Sequence, residues 1–346
     1  MFPAGNAEAP LPSQYNLTVY QRLAFLTGGT GFVGGHVARA LSAEGWAVRA
    51  LTRGKARLPP DIPLDTVAGE LSESSHDALC SALRGCDAIV HVAGLVKART
   101  LEDYREVNVA GTECLIAAGR KGAPEALFLL VSSQAAAGPA RDGRSVREED
   151  VPRPVSWYGR SKLEAEEAVA RGWKGPWLVL RPGVIFGPGD RGLLTLFAGA
   201  ARGWVPAPAV NRRVQIIHAS RAALGIARAA GRPDLAGKRG FLCDADPIRI
   251  RDFAAAIARL PQRPARVVPI PDVLVRLAGA VETLREAVSG RSRPFNADKA
   301  REILAGDWLC EPALMQKHLD LPPPSPLDYA LGETWNWYTR RGWILL

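Results

Sequence analysis

Tyr158 and Lys162, in "SWYGRSKLEAEEA" (156–168), stand four residues apart at the start of a helical pattern, so both side chains project from one face. A free tyrosine ionises at about pH 10, too high for ready proton exchange near neutrality. A neighbouring ammonium favours the phenolate and is expected to lower that value, and the positive ring of an oxidised nicotinamide would add to the effect. The pair alone occurs on many surface helices; its weight comes from what precedes it. In "TGGTGFVGGHVARAL" (27–41), Gly29-Thr30-Gly31-Phe32-Val33-Gly34 satisfies G-x-G-x-x-G between a strand and a helix. Glycines there permit a tight turn and close approach of a pyrophosphate, which the free N–H groups and dipole of the following helix attract. At the end of the next strand, "LTRGKAR" (51–57) places Arg53, with Lys55 or Arg57 nearby, where NAD binders usually carry an acid for the ribose 2′-hydroxyl. Arginine can bind a 2′-phosphate bidentately, so NADP is favoured over NAD; the other reading of Arg53 is a solvated turn residue.

These groups need a frame. Residues 22–29, 46–53, 64–70, 86–94, 126–133 and 175–183 each read as a short apolar strand, and 34–45, 75–85, 107–122 and 161–172 as amphipathic helices between them. That alternation predicts an α/β fold, a Rossmann-type doubly wound parallel sheet with helices on both faces. Past residue 181 it breaks down. The expected organisation is an N-terminal extension (1–21), a dinucleotide-binding domain (22–180, completed by 214–245), and a smaller, mostly helical substrate domain (181–213 and 246–346). Trp204, Val205, Phe241, Val273, Leu274 and Leu277 are expected either to wall an apolar pocket or to be ordinary core. Residues 266–290 outline an amphipathic helix with Val273, Leu274, Leu277, Val281 and Leu284 at helical spacing. Its polar face balances acids with bases and lacks the aromatic and lysine profile of interfacial helices, which favours packing inside the small domain over a membrane surface.

Composition narrows the class. The chain has 346 residues, 47% of them hydrophobic, enough for a large core. Five scattered cysteines in no C-x-x-C spacing suggest neither a disulfide framework nor a metal site, which fits a cytoplasmic protein. The first residues lack a basic start followed by an apolar run, so no secretory signal is expected, and no stretch is long enough to span a membrane. The formal charge of +9 is spread among acids with no dense block, which argues against nucleic acid and for a basic surface that attracts a phosphorylated or acidic ligand.

Taken with the glycine motif, "HVAG" (91–94), "NVAGT" (108–112), "VSSQAAAG" (131–138), "YGRSK" (158–162) and "LRPGVIFGPGD" (180–190) stand in the order found in the extended short-chain dehydrogenases/reductases, which the chain resembles over about residues 22–245. A weaker echo follows in "GETWNWYTRRGWI" (332–344). The resemblance implies Ser133 as the hydroxyl that polarises a reacting carbonyl, with a strand-end cap as its other reading. It implies Tyr158 as proton donor or acceptor and Lys162 as holder of the nicotinamide ribose. Cofactor contacts are implied for Gly28, Thr30, Gly31, Phe32 and Val33 in the turn, for Glu70 and Leu71 near the adenine, and for Ala93, Ser132, Pro182 and Val184 around ribose and nicotinamide. Asn108 matches the family's structural asparagine and reads equally as a satisfied buried amide. A homodimer through two helices per subunit is implied as well.

Departures from the family's pattern guide the reaction. Gln134 and Ala135 stand where sugar-nucleotide dehydratases carry an Asp-Glu pair, and neither can act as acid or base. Val184 replaces the Asn that helps epimerases hold a substrate diphosphate, and "VQIIHASR" (214–221) lacks the polar ends of another sugar-nucleotide segment. The expected activity is an NADP(H)-dependent interconversion of carbonyl and secondary alcohol on a small apolar substrate, of the steroid or dihydroflavonol class. Two alternatives stay open: a nucleotide-sugar epimerase with tightly bound NAD, and a non-catalytic dinucleotide-binding regulator or assembly subunit.

Overall fold

The structure, a computed structural model, describes residues 22–54, 62, 64–293 and 295–344. The N-terminal extension, Lys55 and Arg57 lie outside the described residues. Strands β1 (Arg22–Thr27), β2 (Trp46–Thr52), β3 (Leu64–Ala68), β4 (Ala88–His91), β5 (Leu127–Val131) and β6 (Trp177–Pro182) fall in the six expected stretches. They are followed by β7 (Val184–Phe186), β8 (Trp204–Pro208), β9 (Arg213–Val214), β10 (Ile216–His218), β11 (Lys238–Leu242), β12 (Ile248–Arg249) and β13 (Arg266–Ile270). The helices are α1 (Phe32–Ala43), α2 (His76–Leu83), α3 (Leu101–Arg105), α4 (Gly111–Gly122), α5 (Gln134–Ala137), α6 (Trp157–Gly172), α7 (Leu194–Ala201), α8 (Ala219–Ala229), α9 (Ile250–Ala258), α10 (Asp272–Ser289), α11 (Ala297–Leu304), α12 (Ala313–Leu319) and α13 (Leu327–Arg340).

Seven strands form one parallel sheet in the order β11-β6-β5-β4-β1-β2-β3. Both faces are covered at the centre of the sheet, which is why β4 and β5 are buried throughout rather than alternating, while the edge strand β3 is half exposed. In β5, Leu127, Leu129 and Val131 join a core with α1 and α8, while Phe128 and Leu130 join a second core with α2, α4 and α6. Each such side chain, fully buried, contributes roughly 1.5–3 kcal/mol. The strand order reverses between β1 and β4, and this opens a crevice at their carboxyl ends, where Thr27 pairs with His91. A third core of Phe186, Phe197, Val205, Phe253, Trp335 and Tyr338 belongs to the later segments, and the Tyr338 hydroxyl donates to the Asp190 carbonyl at 2.6 Å. Among the described residues no helix is long and apolar enough to cross a membrane.

Two expectations are corrected. Val205 and Phe241 are fully buried, in keeping with the core reading of them, whereas Trp204, Val273, Leu274 and Leu277 are exposed and belong neither to the core nor to the wall of an enclosed pocket. The apolar stripe of α10 does not pack inside the small domain. The helix turns its other side inward: Gly279 sits so close to α11 that an added Cβ would lie 2.8 Å from that of Ala300. Glu286 is buried, its carboxylate accepting from the Arg293 N–H at 2.5 Å and the Asn296 amide at 3.2 Å.

Candidate active site

The glycine turn is dictated by sterics. Gly28 has φ +76°, a conformation that disfavours a side chain, and its carbonyl accepts the Gly31 N–H at 2.9 Å. A Cβ on Gly34 would lie 2.0 Å from that same carbonyl. Gly31 caps α1 without a side chain, and no acid occupies the first helical turn, so that turn's N–H groups remain available to an anion. Thr30 and Gly31 are exposed, with Phe32 and Val33 partly buried behind them. These residues fit a dinucleotide pyrophosphate. Arg53 and Glu70 are both exposed, and the Gly69 N–H to Thr52 carbonyl bond of 3.0 Å draws their segments to one edge of the sheet. Leu71 packs beside Gly111.

Behind the turn runs a buried hydrogen-bond relay that sequence reasoning missed. The Ala93 N–H donates to Thr27 Oγ1 (3.2 Å), Thr27 Oγ1 meets His91 Nδ1 (2.7 Å), and His91 Nε2 meets Thr112 Oγ1 (3.0 Å). Because the Thr112 hydroxyl donates to the Asn108 carbonyl (2.6 Å), it must accept from Nε2–H, and with burial disfavouring a second ring proton Thr27 donates to Nδ1. The ring is therefore neutral. Its pKa is pushed down to about 3, first by burial and then by the Lys162 charge. The Asn108 side chain accepts from Leu95 N–H (2.7 Å) and donates to the Leu95 carbonyl (3.1 Å) and Ser161 Oγ (2.9 Å). It is the satisfied buried amide, and Ser161 carries the chain on to the Tyr158 carbonyl at 2.8 Å. The available signal was a histidine closing an otherwise apolar strand.

Ser133, Tyr158 and Lys162 converge from two elements. Ser133 caps α5, accepting from the Ala135 N–H at 3.1 Å, and its hydroxyl lies close enough to the Tyr158 phenol to favour the phenolate. Tyr158 lies in the first turn of α6, whose N-cap Ser156 accepts from Gly159 N–H at 3.0 Å and donates to Glu302 at 2.8 Å. The Asp298 carboxylate, from α11, accepts the Trp157 N–H at 2.9 Å. The Lys162 ammonium is buried and donates to the Val131 carbonyl at 2.7 Å. Burial lowers its pKa to about 8, against the pull of Glu166. Burial likewise pushes Tyr158 up to about 12, the Ser133 hydrogen bond opposing and Glu302 reinforcing the rise. The expected lowering of the phenol by the neighbouring ammonium is not what this site shows: burial dominates at Tyr158 and moves it upward. A small cavity beside the phenol is lined by Val96, Lys97, Tyr104, Asn296, Asp298 and Lys299. Asp298 and Glu302 were not singled out from the sequence, since nothing in "FNADKAREIL" (295–304) marks them.

The remaining expected contacts are placed as follows. Ala93 flanks Gly28 in the crevice, and Pro182 is buried at the end of β6. Val184 is partly exposed on β7. Ser132 donates to Glu166 at 2.5 Å and so belongs to a buried ion pair in which Arg181 holds Glu166 at 2.7 and 3.0 Å. Gln134 is buried, and among the described residues its amide nitrogen has no partner.

Comparison with known proteins places the chain. The model of the NAD dependent epimerase/dehydratase family matches residues 24–234. The ceramide reductase of Caulobacter vibrioides is 33% identical over 322 residues, 92% of this chain and 95% of that protein. The 4-hydroxy-2-methyl-3-oxo-4-farnesyl-3,4-dihydroquinoline-1-oxide ketoreductase of Stigmatella aurantiaca is 30% identical, spanning 81% of this chain and 90% of its own. Among solved structures, the epimerase Mth375 of Methanothermobacter thermautotrophicus shares the fold with TM-score 0.75 and 18% identity, covering 94% of each chain. The dTDP-glucose 4,6-dehydratase DesIV of Streptomyces venezuelae shares it with TM-score 0.73 and 21% identity, over 93% of this chain and 98% of that one. The chain belongs to the NAD dependent epimerase/dehydratase family, among the extended short-chain dehydrogenases/reductases, and is an NAD(P)-dependent oxidoreductase.

Proposed function

We propose that this protein is an NADPH-dependent ketoreductase acting on an apolar, lipid-like carbonyl compound. The observation that carries the reading is the junction of the Ser133 hydroxyl with a Tyr158 phenol kept protonated by burial, one helical turn from the Lys162 ammonium. A phenol with a pKa of about 12 is fully protonated at neutral pH and could give its proton to a developing alkoxide during reduction. Ser133 donates to the same oxygen. Lys162 is still mostly cationic near pH 7 and would hold the ribose hydroxyls of a nicotinamide nucleotide. Bound NADPH would supply the hydride. Gln134 and Ala135 offer no acid or base for a dehydration. The two relatives named for ceramide and for a farnesylated quinoline oxide support an apolar substrate.

Arg53, exposed at the end of β2, would hold the 2′-phosphate. Titration of NADPH and NADH by intrinsic tryptophan fluorescence is expected to show tighter binding of NADPH, and Arg53→Ala should weaken NADPH by about tenfold while leaving NADH unchanged, the loss of one charge-assisted pair. Apolar ketones, but not sugar nucleotides, should then consume NADPH mole for mole. Equal or tighter binding of NADH would remove the role of Arg53. Co-purified NAD with turnover of a sugar nucleotide, and no need for added cofactor, would overturn the reading in favour of an epimerase.

A further inference from the structure

An 18-residue helix, about 27 Å long, lies on the surface with its apolar side outward. In α10, Val273, Leu274, Leu277, Val281, Leu284 and Val288 are all exposed, Leu284 at 66% and Val288 at 84%. At about 100° per residue these six fall within an arc of about 100°, with Ala280 and Ala287 beside them. The opposite side, through Gly279 and Glu286, is the one packed against the body of the protein. A stripe of this size left open to water calls for a covering partner.

Charge decides which partner. The sequence counts as many acids as bases here, but the structure removes the acids: Asp272 is paired with Arg212 at 2.5 Å, Glu282 with Arg285 at 2.5 Å and Arg293 at 3.3 Å, and Glu286 is buried. Arg276 and Arg285 lie on the two shoulders of the stripe, and Arg291 follows the helix. Among the described residues Arg276, Arg291 and the nearby Lys97 enter no ion pair. A second copy of this chain would bring the same unpaired positive charge to the contact, whereas an anionic lipid surface neutralises it, each basic group adding about 1 kcal/mol near such a surface. Position agrees as well. Arg293, Asn296, Asp298 and Lys299, just beyond α10, line the cavity beside Tyr158 together with the exposed Val96 and Lys97.

We infer that α10 is a monotopic docking helix that lies in the interface of an anionic lipid membrane and sets the mouth of the active site against the lipid. Delivery of substrate from that lipid rests on the apolar-substrate reading above; the docking itself does not. Flotation of the full-length protein with phosphatidylcholine vesicles, with and without phosphatidylglycerol, tests it. The protein is expected to float with the anionic vesicles and to be released by high salt. Leu277→Glu with Leu284→Glu should lower the vesicle partition coefficient by at least about tenfold, with thermal midpoint, NADPH binding and reduction of a water-soluble ketone unchanged. Arg276→Gln with Arg291→Gln should weaken only the anionic-vesicle binding. Failure of the parent protein to float, or undiminished flotation of the Leu double variant, overturns docking. So does a parent dimer that the Leu variant converts to monomer, which would assign the stripe to a second copy. A protein that floats yet reduces no ketone leaves docking standing and sinks the substrate reading.

Discussion

Two opposing effects act on one proton at Tyr158. Withdrawal from water raises its pKa to about 12, and the Ser133 hydrogen bond recovers only part of that rise. If the phenol is the proton donor, Tyr158→Phe removes an interaction made in the transition state and should lower kcat for reduction by about 10²–10⁴-fold, with NADPH affinity and thermal midpoint preserved. In the cofactor-free protein, an ultraviolet difference titration of parent against Tyr158→Phe should find the phenolate appearing only about two pH units above a free tyrosine. A phenolate at neutral pH without cofactor would contradict the burial argument. The residue types of this trio, and the four-residue spacing that puts Tyr158 and Lys162 on one helix face, were legible in the sequence. The direction of the pKa shift was not, because it depends on how far the fold withdraws the phenol from water and on Glu302, from a segment 144 positions later, approaching it.

Elements were read well where both sides of a strand are buried. β1, β4 and β5 announce themselves as unbroken apolar runs, and the glycine turn follows from its spacing alone. Helix starts were less legible: α6 begins at Trp157 rather than at 161 because the Ser156 side chain and the Asp298 carboxylate satisfy its first N–H groups. α10 was read inside out, since a helix whose buried side is built from Gly279 and a hydrogen-bonded glutamate shows the wrong apolar face to a periodicity argument. The relay through His91 joins β1, β4 and α4, and it carries a pH signature. The folded pKa of about 3 lies below the ordinary 6.5, so the stabilisation is complete above about pH 6.5 and is lost as pH falls toward 3, because the unfolded chain takes up a proton that the folded ring refuses. Below pH 6.5 this group alone should reduce unfolding free energy by about 1.4 kcal/mol per pH unit. Denaturant titrations of His91→Gln should show a lower stability at pH 7 and a shallower acid slope than the parent; parallel slopes would mean the ring is already charged in the native state.

At the scale of the whole molecule, the helix that carries Tyr158 and Lys162 is held from the far end of the chain. The later segments read as irregular in the sequence, because their short strands pair only in twos and their packing partners lie far apart in number. What they do to the site became visible only in three dimensions. Asp298, almost fully buried on α11, accepts the Trp157 N–H through both carboxylate oxygens, at 2.9 and 3.0 Å, and Glu302 one turn on accepts from Ser156. α11 thereby fixes the first turn of α6, the turn that carries Tyr158. The glycine turn stands on the other side of the crevice, on β1 and α1, and does not depend on this contact. Removing the carboxylate strands helix N–H donors in a buried place, at a cost of about 1–3 kcal/mol. Asp298→Ala should accordingly lower the thermal midpoint and reduce kcat, while KM for NADPH stays near the parent value. Asp298→Asn keeps one acceptor oxygen and should recover most of both losses. If Asp298→Ala weakens NADPH binding as much as it slows turnover, the contact supports the fold at large; a loss confined to kcat means that the packing of α11 on α6 and the placement of the Tyr158 phenol are one structural event.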